Sequence, residues 1–217
     1  MEIQALWYNA LRIMERFARQ FGNEEPADRY GEMAVIARRS FAREFWNEEL
    51  GCLYDTVNGD AHDEAIRPNQ IFALSLSHTM LGAEKSRRVL DVVERELLTP
   101  YGLRSLARTD PQYRGRYEGG VLSRDSAYHQ GTVWAFLMGP FLTAYVRVHG
   151  DAGREQARKW LAGFEKHLSE AGLGQVSEIF DGEPPHTPRG CFAQAWSVAE
   201  LLRAAVEDVY PTMRLFD

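Results

Sequence analysis

A loop carboxylate, Glu178, is the strongest candidate for chemistry in this sequence. It lies in a stretch from Gly172 to Gly190 that is rich in Gly and Pro, which is typical of a loop and not of a solvated helix face. Hydrolysis of a glycosidic bond uses two carboxyl groups: one protonates the leaving oxygen, and the other activates water or attacks carbon. Glu178 is a candidate for one of these two groups.

A second group of polar and aromatic residues precedes the most apolar part of the chain. Its members are Asp125, Tyr128, His129, Gln130 and Trp134. Such residues at the mouth of a buried helix would make a poor core, whereas they suit the lining of a sugar pocket. The structural alternative for His129 is a helix cap. We expect these five side chains to bind substrate.

Arg67 and Gln70 lie at the start of another apolar segment. A guanidinium and an amide at a helix mouth can make directional hydrogen bonds to sugar hydroxyls. Alternatively, Gln70 and its neighbour Asn69 satisfy the unpaired N–H groups of the helix start. We carry Arg67 and Gln70 as candidate substrate-binding residues.

The sequence lacks the motifs expected for a serine or cysteine hydrolase and for a metal site. Ser126 has neither the strand nor the glycines of a nucleophile elbow. Cys52 and Cys191 form no metal spacing and no disulfide framework, which fits a reducing cytoplasm. An acidic cluster near the first long loop lacks the oxygen spacing of a cation loop; its members are Asp55, Asp60, Asp63 and Glu64. We therefore expect neither a metal nor another cofactor.

The charge balance also restricts the partners. The chain has 217 residues with 25 Lys and Arg against 31 Asp and Glu, a net charge of -6. Nucleic-acid and anionic-membrane surfaces require clusters of positive charge, and no block of Lys or Arg is present. The longest apolar run, Val133 to Val146, is too short to span a bilayer, and the N-terminus does not resemble a signal peptide. We expect a cytoplasmic protein that binds neither nucleic acid nor membrane.

Apolar periodicity predicts seven helices and almost no strand. The first ends at Gly22, and the others span 27–47, 69–82, 84–98, 130–149, 151–171 and 191–207. Helices two, four and six are rich in charged residues, whereas helix three has none and helix five has only Arg147. Short connections alternate with long loops at 48–68, 99–129 and 172–190. This pattern predicts an α/α toroid with odd helices inside and the long loops around one central depression.

Three tryptophans lie near the starts of predicted inner helices: Trp7, Trp134 and Trp196. We expect at least one of them to face the pocket, where an indole ring can stack on a sugar. The alternative is that all three belong to the core.

Five segments resemble the C-terminal amylo-α-1,6-glucosidase domain of glycogen debranching enzymes. They are EIQALWYNALRIM at 2–14, RPNQIFALSL at 67–76, YGLRSLARTDPQY at 101–113, RDSAYHQGTVW at 124–134, and SEIFDGEPPHTPRGCFAQAWSVAELLR at 177–203. The resemblance implies a toroid of the (α/α)6 glucosidase type and inverting hydrolysis, without a metal, of α-1,6-linked glucose at branch points of glycogen or a related α-glucan. It also implies that Glu178 is the general base.

In that family the general acid lies upstream of the helix with which this sequence begins. The resemblance therefore implies a single domain over residues 1–217 that is the C-terminal portion of an incomplete toroid with about seven helices. We expect such a chain to self-associate or to bind an upstream polypeptide that completes the toroid.

Two other functional classes stay open at this point. One is a noncatalytic glucan-binding or regulatory module that keeps the pocket and lacks the acid. The other is a sugar epimerase or lyase on the same toroid. An epimerase would need paired histidines across the pocket, and the sequence positions of His62, His78, His129 and His186 do not indicate such a pair.

Overall fold

The computed structural model describes residues 1–210, which form two compact units. The first unit contains Met1–Glu64 and Asn69–Val89; the second contains Ala65–Pro68 and the chain from Leu90 onwards. Whether they make up a single domain, as the sequence predicts, stays a prediction. Within residues 1–210, no helix is both long enough and apolar enough to cross a membrane.

The first unit is built on two helices, α1 (Glu2–Gln20) and α2 (Glu24–Glu44), which pack against each other. Gly22 ends α1 as predicted, because its positive φ of 73° lets the chain reverse at once into α2. Arg19 bridges the turn and forms ion pairs with Glu24 and Asp28 of α2. Two hairpins follow, β1 (Trp46–Asn47) with β2 (Cys52–Leu53) and β3 (Val57–Asn58) with β4 (Ala61–His62).

Helix α1 is amphipathic, but its most apolar stripe faces outward. The side buried within the chain is made of Ala5, Tyr8, Leu11 and Ala18. The exposed side carries large apolar residues at helical spacing, namely Ile3, Leu6, Trp7, Met14, Phe17 and Phe21. Their exposure leaves this stripe, which we call the α1 apolar face, without a covering layer in the part of the chain described.

The predicted helix at 69–82 is wrong in extent. A 3₁₀ turn at Pro68–Ile71 leads into α3, which spans only Phe72–Ser75, and an irregular segment follows before α4 (Ala83–Leu97). Apolar side chains alone suggested a longer helix. Ile71, Ala73 and Leu74 are buried as expected. The run of apolar residues therefore predicted burial correctly but predicted too long a helix.

The second unit contains a five-stranded antiparallel sheet that the sequence did not predict. Its order is β5 (Leu98–Thr99), β6 (Gly102–Arg104), β7 (Val133–Trp134), β8 (Ile179–Phe180) and β9 (Pro188–Arg189). Strands of two or three residues are too short to show an alternating pattern. Gly102 is required where β6 meets β7, because its φ is 141° and a Cβ atom there would collide with the carbonyl oxygen of Trp134.

The second unit also contains helices, which lie between or after these strands along the chain. They are α5 (Val121–Ala127), α6 (Met138–Ala162), α7 (Phe164–Glu170) and α8 (Ala195–Ala204), and a π-helical turn follows at Ala205–Val209. Helix α6 breaks at Gly150, whose φ is 59°, which confirms the predicted boundary there. Its start at Met138 corrects the predicted start at 130, because residues 133–134 pair in the sheet and a 3₁₀ turn follows at Ala135–Leu137. Helix α5 was not predicted.

His167 makes the stability of the second unit depend on pH. Its ring is buried, and Nε2 accepts a hydrogen bond of 3.1 Å from the backbone N–H of Ser177. Burial lowers the pKa of His167 below its usual value of 6.5. Below pH 6.5 the unfolded chain therefore binds a proton that the folded chain does not bind, and the folded state loses stability as the pH falls.

We predict that the free energy of unfolding falls by up to about 1.4 kcal/mol per pH unit between pH 6.5 and the lowered pKa because of this residue. The measurement is urea unfolding at several pH values for the wild type, His167→Gln and His62→Gln. The His167→Gln variant should lose this part of the pH dependence. The His62→Gln variant is the control, since His62 is exposed. Equal slopes in the wild type and His167→Gln would contradict the assignment.

Candidate active site

The sheet fixes the backbone of Glu178. Strand β8 begins at the next residue, and Ile179 pairs with Trp134 of β7. The N–H of Glu178 donates a hydrogen bond of 2.8 Å to the carbonyl of Cys191. Two of the segments selected from the sequence, 124–134 and 177–203, therefore meet at this carboxylate.

Both oxygens of the half-buried Glu178 carboxylate accept hydrogen bonds. Oε1 accepts a short hydrogen bond from the hydroxyl of Tyr128, and Oε2 accepts one of 2.9 Å from the N–H of Cys191. Gly190 has a φ of 66°, and a Cβ atom there would lie 2.5 Å from Oε2. Only glycine therefore leaves room for the carboxylate in this position.

Tyr128 is held as a hydrogen-bond donor. Burial and then the hydrogen bond to Glu178 raise the pKa of Tyr128 above its usual value of 10. Its phenol is therefore protonated at neutral pH. The carbonyl oxygen of Tyr128 accepts hydrogen bonds from Thr132 Oγ1 at 2.6 Å and from Trp134 Nε1 at 3.2 Å, which fixes the backbone from which the ring projects.

A second layer supports Tyr128 through Tyr117. The two rings lie 5.6 Å apart between centroids. The N–H of Tyr117 donates a hydrogen bond of 2.9 Å to the carboxylate of Asp181, which is almost fully buried and pairs with Arg189 at 3.0 Å. Pairing offsets the cost of burying the Asp181 charge. Sequence reasoning did not select Tyr117, Asp181 or Arg189, since no motif marks a supporting contact.

An aromatic cluster extends from the carboxylate to solvent. The ring of His129 lies parallel to Trp134 at 5.2 Å, and Trp134 meets Trp196 edge to face at 6.0 Å. Trp196 in turn stacks on Phe136 at 4.3 Å. Trp134 is only 6% exposed, whereas Trp196 is 45% exposed. Trp196 can therefore offer a flat aromatic surface to a sugar, with the half-buried Phe136 stacked on it and Trp134 packed against it edge to face.

Arg67 is engaged within the second unit. One guanidinium nitrogen donates to the carbonyl oxygens of His129 at 2.8 Å and Ser105 at 3.1 Å, and the other donates to Gln130 Oε1 at 2.8 Å. Lost hydration, followed by the charge of Arg67, lowers the pKa of His129, which keeps its ring neutral at pH 7. In this structure Arg67 positions two other predicted residues.

A surface cavity of about 540 Å³ lies beside this segment. Three predicted residues line it: Asp125 at the end of α5, His129 and Gln130. Arg114 also lines it and donates a hydrogen bond of 2.7 Å to Ser126 Oγ. The predicted residues thus divide into two groups, because Tyr128 points to Glu178 while its neighbours face this cavity.

The remaining two predicted residues, Trp7 and Gln70, belong to the first unit. Trp7 is 49% exposed and is part of the α1 apolar face. Gln70 is fully buried, and its amide oxygen accepts a hydrogen bond of 3.3 Å from the N–H of Leu53. The structure thus places Gln70 inside the first unit, and substrate binding by Trp7 or Gln70 stays a prediction.

The chain is similar to known carbohydrate-processing proteins in sequence and in fold. It is 27% identical to the glycogen debranching enzyme of Saccharomyces cerevisiae over a match that covers 64% of this chain and 10% of that protein. Neutral trehalase Nth1 from Saccharomyces cerevisiae superposes with a TM-score of 0.66 at 17% identity, covering 98% of this chain and 41% of that one. The GH63 mannosylglycerate hydrolase from Thermus thermophilus superposes with a TM-score of 0.67 at 16% identity, covering 96% of this chain and 46% of that one.

These likenesses confirm the predicted fold class. The two solved structures are (α/α)6 toroid glycosidases, and this chain spans less than half of each. It spans about a tenth of the debranching enzyme. The family model described as amylo-alpha-1,6-glucosidase matches residues 1–203, which is nearly the whole chain. The chain therefore belongs to the amylo-alpha-1,6-glucosidase family.

Proposed function

We propose that this chain contributes the general base for inverting hydrolysis of α-1,6-linked glucose at branch points of glycogen or a related α-glucan. The observation that supports this most strongly is the Glu178 carboxylate, held on one side by the Tyr128 hydroxyl and on the other by the Cys191 N–H. Inverting glycoside hydrolysis needs a positioned carboxylate of this kind as the base, together with a second carboxyl group as the acid.

In this proposal Glu178 removes a proton from the attacking water. Each carboxylate oxygen can accept about two hydrogen bonds, so each keeps one acceptor position after its contact with Tyr128 or Cys191. The water oxygen attacks the anomeric carbon, the glycosidic bond breaks, and a separate acid protonates the departing oxygen. An inverting mechanism requires the acid at about 6.5–9.5 Å from the base, which leaves room for the water. We propose that an upstream segment of the toroid supplies this acid.

The glucan contacts are proposed to come from two neighbouring surfaces. Trp196 and Phe136 form a stacked pair on which a pyranose ring can lie. The cavity lined by Asp125, His129 and Gln130 offers carboxylate, imidazole and amide groups to hydroxyls.

The proposed partner is an amphipathic helical segment that completes the toroid. The α1 apolar face consists of large exposed side chains along the whole of α1. A patch of this kind normally marks an interaction surface. The similar toroids contain more than half of their chain outside the part that matches, so they have further helices that can cover such a face.

A noncatalytic glucan-binding module is the second candidate function. The observation that favours it is the exposed ring of Trp196, stacked on the half-buried Phe136, which can bind a sugar without a general acid. The two functions differ in one respect: only the enzyme releases glucose from a branched limit dextrin.

The first prediction tests Glu178. Glu178→Gln keeps the shape and removes the base. With the upstream half of the toroid added to supply the acid, glucose release from branched limit dextrin should therefore fall by about 10²–10⁴-fold while glucan binding persists. The matched control is Glu183→Gln in the same loop, which should retain glucose release. The Glu183 carboxylate accepts a hydrogen bond of 2.9 Å from the Tyr113 hydroxyl and has no proposed role in catalysis. Unchanged hydrolysis in Glu178→Gln would remove the base assignment. Rapid hydrolysis by the 217-residue chain alone would place the acid within it, and Asp125 would be examined first.

The second prediction tests the aromatic surface. Saturating maltose or isomaltose should change the intrinsic tryptophan fluorescence, because Trp196 lies at the proposed contact. The change should be lost in Trp196→Ala and kept in Trp46→Phe, since Trp46 is in the first unit beneath Lys85. A response that persists in Trp196→Ala would assign sugar stacking to another tryptophan.

The third prediction tests the α1 apolar face. The isolated chain should self-associate, and the double variant Leu6→Lys/Phe17→Lys should be monomeric because Lys disfavours burial. Leu122→Lys is the control, since Leu122 is 86% exposed on α5. Sedimentation velocity at micromolar concentration distinguishes these states. A polypeptide that supplies the upstream half of the toroid should bind the chain in place of a second copy and raise the rate of glucose release. A wild-type chain that is monomeric and does not bind this polypeptide would contradict the proposal.

A further inference from the structure

The first unit contains a groove whose charge no glucan chemistry requires. It lies between α1, α2 and the segment that leads into α4, and its volume is about 570 Å³. Four of its ten lining residues are cations: Arg12, Arg38, Arg39 and Lys85. None of the ten is acidic. The volume lies within the range of small-molecule sites.

The four cations differ in how many hydrogen bonds and ion pairs they make with neighbouring groups. Arg12 pairs with Glu15 at 2.6 Å. Within residues 1–210, Arg38 makes one hydrogen bond, from Nε to the carbonyl of Met80 at 3.0 Å, which leaves its two terminal nitrogens available to the groove. Arg39 makes neither a hydrogen bond nor an ion pair with any residue between 1 and 210. The groove therefore contains guanidinium donors that have no acceptor among the residues described.

Such a concentration of positive charge is unusual for this chain. The net charge of the whole sequence is -6, so the composition does not account for it. Like charges held together repel one another, and a bound anion offsets that repulsion. Guanidinium groups in particular match the geometry of phosphate, to which they donate paired hydrogen bonds. A neutral glucan can accept hydrogen bonds from these groups, but it cannot offset their charge.

The uncharged wall of the groove indicates an organic ligand. Val35, Ala42, Met80 and Leu81 line it beside the cations. These side chains can cover the uncharged part of a ligand whose anionic group contacts arginine. Beyond Arg12 and Arg39 the groove continues into a region that also contains Glu15, Asp28 and Glu32. These three carboxylates equal in number the three arginines that line this region, so it has no excess of positive charge. The anionic group therefore belongs at the end marked by Arg38 and Lys85.

We propose that this groove binds a small organic phosphate, with Arg38 and Lys85 on the phosphate and the apolar wall against the rest of the molecule. Lys85 supplies a point charge whose ammonium lies 4.3 Å from the centroid of the Trp46 ring, which restricts its position. All the residues involved belong to the first unit, so the site does not depend on the assignment of Glu178.

The test is calorimetric titration of the full chain with three probes: glucose 6-phosphate, inorganic phosphate and glucose. Glucose 6-phosphate should bind saturably and more tightly than inorganic phosphate, because only it covers the apolar wall, and glucose should not bind in the groove. Arg38→Gln and Lys85→Gln should each weaken binding of glucose 6-phosphate by about tenfold, the loss expected for one hydrogen bond to a charged group. Higher salt should also weaken binding.

Arg87→Gln is the matched control. Arg87 is an exposed cation on α4 that does not line the groove, so the variant changes the net charge equally and should bind normally. Equal loss in Arg87→Gln would show a diffuse charge effect and overturn the proposed site. If inorganic phosphate binds as tightly as glucose 6-phosphate, the claim that the ligand is an organic phosphate is wrong. If neither binds saturably, the whole proposal is wrong. Heat unfolding of each variant verifies that it is folded.

Discussion

The pairing of β7 with β6 on one side and β8 on the other is the constraint on which the rest of the site depends. Tyr128 and Glu178 are 50 residues apart in the chain, and the register that opposes Trp134 to Ile179 brings their side chains into contact. The same pairing determines where α6 can start, because residues committed to a strand cannot also form the first turn of a helix. A few backbone hydrogen bonds therefore position both the carboxylate and its aromatic neighbours.

Two helix boundaries in particular were predictable, because their signals are local. Gly22 and Gly150 end helices where their positive φ angles require it, and the apolar segment that follows residue 137 is buried as expected. The sheet was not predictable, since two residues cannot display an alternating pattern. The extent of α3 shows the same limit in another form, because an apolar sequence predicts burial more reliably than it predicts the backbone conformation that achieves it.

The residue types of the candidate site were predictable, but the directions of the side chains were not. Glu178, Tyr128 and Trp196 were selected from loops and helix starts, and the structure groups them with aromatic rings. Consecutive residues in the turn after α5 diverge, so that Tyr128 turns to the carboxylate while His129 lines the cavity. Arg67 donates hydrogen bonds to the backbone carbonyls of Ser105 and His129, which come within its reach only when the chain has folded. The sequence predicts the chemistry available, and the long-range contacts decide which group performs which task.

Helix α1 explains how one element can serve two different partners. With 3.6 residues per turn, Tyr8 and Arg12 lie on one side of the helix, and Ile3, Met14 and Phe17 lie on roughly the opposite side. The first pair lines the cationic groove against α2, whereas the other three belong to the apolar face. A helical segment that covers the apolar face would therefore leave the groove open. The energetic reason for such a division is that apolar burial and anion binding require opposite surroundings, the first a dry contact and the second exposed cations that a small ligand can reach.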